Sequence, residues 1–224
     1  MPTELGLTVS ELFFSLQGES TYAGLPCVFI RLAGCNLRCC YCDARYSYEE
    51  AGHSQPLSEI LAFVERYPGA IVEITGGEPL LQANAISLMQ LLLDRGRTVL
   101  LETNGSLDLS PVPAGVITIM DVKCPGSGLP NATRLENFAV LRPHDEVKFV
   151  LCSRQDYEWA VAAISRHRLI DPLSGKAKHP LLFSPVPGHL TPAELAAWMI
   201  EDNLPVRLQL QLHKLLWPSL DRGV

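Results

Sequence analysis

The sequence predicts an α/β fold: a partial, open (β/α) barrel in a single domain spanning residues 1–224. Three observations lead there. Continuous apolar runs alternate with helical patterns along the chain, which implies a parallel sheet covered on both faces. Only about four of the helical segments are strong, too few for an eight-fold barrel. No linker, low-complexity tract or internal repeat divides the chain.

The first strand is expected at 28–32 (V-F-I-R-L). Residues 45–53 are short and polar and run into Ser54-Gln55-Pro56, so they read as a loop or one turn near the site. A helix follows at 57–67, then a strand at 71–75 (I-V-E-I-T). The helix at 83–94 carries Ile86, Met89, Leu92 and Leu93 at helical spacing. Strands at 98–102, 116–122 and 147–151 are apolar runs of the kind buried on both faces. A helix at 156–167 and a strand at 181–185 come next. The helix at 192–201 opens with Thr191 as N-cap, Pro192 in the first turn and Glu194 at the capping-box position. A last strand is expected at 206–212. Parallel α/β sheets bind ligands at the C-terminal ends of their strands. Segments 34–43, 76–79, 103–105, 123–128 and 184–188 are therefore the candidate functional loops.

Composition narrows the class. With 47% hydrophobic and 19% charged residues the chain suits a packed globule, not a disordered one. A net charge of −6 argues against a nucleic-acid binder. The N-terminus lacks the basic and apolar regions of a signal peptide, and no apolar stretch reaches the ~18 residues of a membrane span. A cytoplasmic protein is expected, with no membrane partner. Four of the seven cysteines lie within residues 35–42. In a reducing compartment such clustering indicates metal in preference to disulfides.

That loop reads C-N-L-R-C-C-Y-C, with Cys35, Cys39 and Cys42 in a C-x3-C-x2-C pattern. Three thiolates at this spacing can hold three corners of an iron–sulfur cube and leave the fourth iron open. Clusters that only carry electrons usually have four cysteine ligands. An open position is what a reactive metal site keeps. Two other readings compete: a zinc site, for which Cys39 and Cys42 offer only half the ligands, and plain buried cysteines. Cys40 makes a C-x4-C register conceivable.

The loop G-C-N-L-R-C-C-Y-C-D resembles the radical S-adenosylmethionine (SAM) superfamily, and three later segments match it in order. T-G-G-E-P (75–79) is similar to the glycine-rich motif that takes the SAM amino group. E-T-N-G (102–105) is similar to the strand end that contacts the SAM ribose and carboxylate. D-V-K-C-P-G-S-G (121–128) is similar to a later SAM-contacting strand end. The resemblance implies a fold of the radical SAM type and, from the aromatic Tyr41, the Cys39 register; Cys40 is assigned no ligand role. It also implies cofactor contacts from Tyr41, Asp43, Gly76, Gly77, Glu78, Glu102, Asn104, Lys123, Ser127 and Ser184. Glu78 can in addition support the turn it sits in.

The ends of the chain narrow the resemblance to the 7-carboxy-7-deazaguanine synthases. F-F-S-L-Q-G-E-S (13–20), G-L-P-C-V-F-I-R-L (24–32) and the C-terminal L-Q-L-H-K-L-L-W-P with R-G-V carry it, over nearly the whole chain. It implies substrate contacts from Leu16, Gln17, Gly18, Glu19, Arg31, Thr75, His213 and Val224, so both chain ends contribute to the substrate site. The residue types suit a carboxylated pterin. Gln17 and Glu19 can pair with its amide and amino groups, and the Arg31 guanidinium can hold its carboxylate. One position departs from the pattern. The family commonly places a hydroxyl two residues after the last cysteine, as a Mg²⁺ ligand; here it is Ala44.

The resemblance implies a radical ring contraction of 6-carboxy-5,6,7,8-tetrahydropterin to 7-carboxy-7-deazaguanine, with loss of ammonia, on the way to queuosine and other 7-deazapurines. The implied cofactors are a [4Fe–4S] cluster, SAM and Mg²⁺. The implied partners are an electron donor such as flavodoxin or ferredoxin and a second copy of the chain in a homodimer. Two alternatives remain. A glycyl-radical activating enzyme shares the cysteine spacing but leaves S-L-Q-G-E and F-I-R-L unexplained. A non-catalytic iron–sulfur or zinc module leaves all the later motifs unexplained. Replacing Cys35, Cys39 or Cys42 by Ala should abolish turnover and lower the iron bound after anaerobic reconstitution. Cys40→Ala should retain both, as checked by iron assay and SAM cleavage.

Overall fold

The computed structural model describes residues 5–224. Residues 1–4, the start of the segment expected to carry no signal peptide, lie outside the described residues. The chain runs β1 (Gly6–Leu16), β2 (Pro26–Leu32), α1 (Tyr46–Glu49), β3 (His53–Pro56), α2 (Leu57–Glu65), β4 (Ile71–Gly76), α3 (Asn84–Asp94) and β5 (Val99–Thr103). It continues with β6 (Ile117–Lys123), α4 (Asn137–Val140), β7 (Glu146–Leu151), α5 (Arg154–Arg166), β8 (Leu181–Pro185), α6 (Pro192–Glu201), β9 (Arg207–Leu208) and α7 (Leu212–Leu216). The nine strands form one sheet in the order β3-β1-β2-β4-β5-β6-β7-β8-β9. From β2 to β9 each strand pairs in parallel with the next. The two edges, β3 and β9, do not pair with each other, so the barrel is open as expected.

The two faces of the sheet have different jobs, and the two-residue strand period separates them. Val28, Ile30 and Leu32 of β2, Val72 and Ile74 of β4, and Val147 and Phe149 of β7 join the main core, with α2 residues Ile60 and Val64 and α3 residues Leu88, Met89 and Leu92. The intervening residues face inward. At the base these are apolar: Phe13, Cys27 and Phe29 make a small second core, with the Phe13 and Phe29 rings stacked 4.7 Å apart. Level with Phe29 and one strand step further on, the inward residues turn polar. Cross-strand pairing puts Arg31 beside Thr75, Phe29 beside Glu73, and Asp121 beside Lys148. A dry base with charges above it makes the inside of the barrel a site.

Several expected elements shift. Strand β1 was not anticipated from the sequence. Its Leu7 and Val9 are buried, but most of its other residues are only half-covered, and its antiparallel pairing with β2 and β3 supplies what its composition does not. Residues 53–56, expected within or after a loop, form edge strand β3 by backbone pairing with β1; α1 is the single turn anticipated there. The strand expected at 206–212 is only Arg207–Leu208. The chain then leaves the sheet, and Leu212 donates its amide to the Gly18 carbonyl at 2.9 Å. Helix α5 begins two residues early, on a Ser153 cap that accepts the Asp156 amide. The capping box of Thr191 and Glu194 is formed as expected.

Candidate active site

A cavity of about 600 Å³ opens at the C-terminal ends of the inner strands. One wall is the cysteine loop. Cys35, Cys39, Tyr41, Cys42 and Asp43 all border the cavity. Amide groups point at two of the sulfurs: Leu37 N–H lies 3.4 Å from Cys35 Sγ, and the Ala44 amide bonds Cys42. Burial pushes the Cys39 and Cys42 thiols up, and the Lys123 ammonium opposes it at both. Cys40 is exposed and gives its S–H to the Gly126 carbonyl at 3.4 Å. Cys27 and Cys124 are buried in the packing.

The glycine strap is laced to this loop. The Gly77 amide donates to Leu32 O at 3.2 Å and the Glu78 amide to Gly34 O at 2.9 Å. A Cβ on Gly77 would lie 2.1 Å from Gly34 O and 2.7 Å from Cys35 Cβ, so only glycine permits the approach. Gly76 has φ +139° and a similar clash with Leu32. Gly76, Gly77, Asn104, Asp121 and Lys123 border the cavity. Lys123 Nζ donates to Asp121 Oδ2 at 2.8 Å, and Asp121 Oδ1 is buried with no hydrogen-bond partner.

Three residues expected to contact the cofactor lie behind this wall. Glu78 is fully buried, and its carboxylate accepts from Leu80 N, Asn104 N and Thr103 Oγ. Its work is to fix the turns on which Gly77 and Asn104 sit. Ser127 Oγ donates to Cys124 O at 2.6 Å and accepts from Leu129 N at 3.0 Å. Ser184 is buried in β8. None of the three borders the cavity.

The opposite wall brings together Leu16, Gln17, Gly18, Glu19, Arg31, Thr75, His213 and Val224, and Glu102 joins them. Glu19 Oε2 accepts from Lys148 Nζ at 2.8 Å and Oε1 from Gln211 Nε2 at 3.0 Å. Lys148 also bonds Glu102. Gln17 donates to Glu73. Arg31 gives only its Nε to a partner among the described residues, Glu11 Oε1 at 2.7 Å, which leaves the outer edge of the guanidinium free. Glu11 also accepts from Tyr46 OH at 2.7 Å and from the Gly223 amide at 3.3 Å. Arg222 pairs with Glu50 and stacks on Tyr46. The C-terminal tail therefore lines the cavity and is tied to its wall at Glu11 and Tyr46.

Residues 29–115 match the radical SAM superfamily. A 7-carboxy-7-deazaguanine synthase of Chlorobaculum tepidum is 45% identical over 227 residues, covering 100% of both chains. One from Koribacter versatilis is 43% identical, covering 97% of this chain and all of that one. The chain belongs to the 7-carboxy-7-deazaguanine synthase family. The crystal structure of QueE from Escherichia coli shares the fold, with a TM-score of 0.72 at 22% identity over 93% of this chain and 95% of that one.

A radical SAM synthase carries a [4Fe–4S] cluster and SAM, and the residues present fit both. Among the described residues, no three Cys, His, Asp or Glu side chains surround one point as the ligands of a single ion would. Cys35, Cys39 and Cys42 border one cavity and supply three thiolates, one short of the four ligands of a structural zinc and suited to a cluster with one open iron. The orphaned Asp121 Oδ1 and the bare backbone at Gly76 and Gly77 suit SAM's polar groups. Magnesium fits less well. Ala44 has no side-chain oxygen, and its carbonyl already accepts from Ser47 N at 3.0 Å and Ser47 Oγ at 2.7 Å.

Sequence reasoning missed Glu11, Glu73 and Lys148. A signal for two of them was present: Glu73 and Lys148 are single charges inside otherwise apolar strand runs, I-V-E-I-T and V-K-F-V-L. Burial works against the charge on Lys148, but Glu102 and Glu19 outweigh it and hold the ammonium protonated. Burial likewise opposes the Glu19 carboxylate, and Lys148 more than compensates. Lys148→Ala leaves these carboxylates in a buried layer without their cation. It should cost about 3–5 kcal/mol of stability, read as a lower urea midpoint.

Proposed function

We propose that the protein converts 6-carboxy-5,6,7,8-tetrahydropterin to 7-carboxy-7-deazaguanine with loss of ammonia. One observation carries the reading: a half-free guanidinium, Arg31, and a polar pair, Gln17 and Glu19, line the same cavity as the cysteine triad. The free edge of Arg31 suits the substrate carboxylate in a two-point bond. Glu11 and Tyr46 hold that guanidinium in place from behind. Glu19, kept ionised by Lys148, accepts from the amino and amide N–H groups of the pterin, and Thr75 adds a hydroxyl beside it.

Cys35, Cys39 and Cys42 would hold the cluster, with Gly76, Gly77, Asn104, Asp121 and Lys123 arranged to receive SAM. When bound, the two together supply a one-electron route to removing a hydrogen atom from carbon. The protein's own part is to orient the substrate against that centre and to exclude water with the 212–224 tail. The expected low-potential electron donor, flavodoxin or ferredoxin, fits a cytoplasmic setting, and a homodimer is the expected assembly. Anaerobic holoenzyme given reductant, SAM and the carboxytetrahydropterin should form the deazaguanine, detected by mass spectrometry. SAM cleavage without that product would refute the assignment. Ala44→Thr should restore the missing oxygen and make turnover rise with added Mg²⁺ more steeply than in the wild type; an unchanged Mg²⁺ response would show that position 44 does not control metal use.

A further inference from the structure

We propose that Glu73 is a substrate-specificity residue that donates its carboxylic proton to an acceptor atom of the substrate heterocycle, while Glu19 beside it accepts. This rests on the pterin reading given above.

The argument begins with position. Glu73 sits on the inner face of β4, two residues before Thr75 and one layer below it, and it borders the cavity. Its side chain is almost wholly buried. One carboxyl oxygen accepts from Gln17, and the other has no hydrogen-bond partner among the described residues. A free oxygen on a cavity wall, next to a residue already assigned to the substrate, is placed to touch the ligand.

The charges around it decide its protonation. Facing Glu73 are Glu19 from the loop after β1, Arg31 and the Cys27 thiol from β2, Glu102 from β5 and Lys148 from β7. Asp121 of β6 acts on Lys148, and His213 of the tail and Asp43 of the cysteine loop act on Glu19. Lys148 is already shared by Glu19 and Glu102. Arg31 is already paired with Glu11. The third carboxylate, Glu73, lies below them and feels the pull of Lys148 and Arg31, but neither cation is hydrogen-bonded to it. Burial is the largest influence on Glu73 and, with the repulsion of Glu102 and Glu19, pushes its carboxyl well above the usual range. Glu19 is pushed the opposite way by its contact with Lys148. Two neighbouring glutamates thus hold opposite protonation states, one a donor and one an acceptor. A pterin edge also carries donors and acceptors side by side. A site built to pair with both discriminates more sharply than shape alone.

Two measurements test this on the reconstituted holoenzyme. The first is infrared spectroscopy without pterin: a protonated-carboxyl C=O band should be present near neutral pH, lost on raising the pH, and missing from Glu73→Gln. The second is the pH dependence of KM for the carboxytetrahydropterin. In the wild type KM should rise at alkaline pH as Glu73 loses its proton. Glu73→Gln keeps a neutral donor, so it should stay within about threefold of wild type near neutral pH and lose that alkaline limb. Glu73→Leu removes the donor and should raise KM about tenfold, with kcat changed less. If Glu73→Leu does not fold, the Gln variant and the infrared band still decide. An infrared band unaffected by Glu73→Gln, or an alkaline limb that persists in it, overturns the proposal. Wild-type enzyme that cleaves SAM but forms no deazaguanine overturns the substrate reading instead, because the infrared result does not depend on the pterin.

Discussion

Lys148 reaches from β7 across the inside of the open barrel to two carboxylates from distant parts of the chain, Glu19 after β1 and Glu102 at the end of β5. A buried ammonium is costly unless paired, and so are buried carboxylates. The three groups therefore keep one another in place. Glu19 in turn receives Gln211 from the C-terminal segment, and Gln17, whose Oε1 accepts the Glu19 amide, reaches Glu73. A single cation thus positions the N-terminal loop, two central strands and the start of the tail around one cavity.

The other half of the site depends on close backbone approach in place of charge. The glycine strap at 76–77 comes within reach of Gly34 and Cys35 because neither glycine carries a Cβ, and Glu78 fixes that strap from behind with three backbone and side-chain donors. The two halves meet across the cavity because the strand period sends alternate residues to opposite faces. The apolar alternates make the core with the helices, and the polar alternates face inward above the Phe13–Phe29 base. The same strands therefore supply the core and the chemistry.

Much of this was legible in the sequence. The cysteine spacing, T-G-G-E-P and E-T-N-G mark the cluster and cofactor side, and the apolar runs mark the parallel strands. Glu78, Ser127 and Ser184, expected at the cofactor, lie behind the cavity wall, and Glu78 and Ser127 hold turns there. A motif identifies a turn that recurs at a site, and residues that hold a turn recur with it as faithfully as residues that touch the ligand. Strands β1 and β3 were missed because edge and half-covered strands lack a continuous apolar run; backbone pairing makes them, and pairing is a property of two segments. The strand expected at 206–212 is short for the opposite reason: its alternation suits a strand, but the bond from Gln209 N to Phe183 O is the last to β8, and Leu212 donates instead to the Gly18 carbonyl.

What the sequence by itself determined was the three-cysteine loop, the order of the strand-end motifs and the alternation that builds an open parallel sheet. These are local, and spacing alone expresses them. Only the tertiary structure decided that Glu11 links Arg31 to the tail, that Lys148 serves two carboxylates, and that Glu73 is hydrogen-bonded to neither cation. The charge state of a buried carboxyl depends on what lies across the barrel from it, and no stretch of sequence contains both sides.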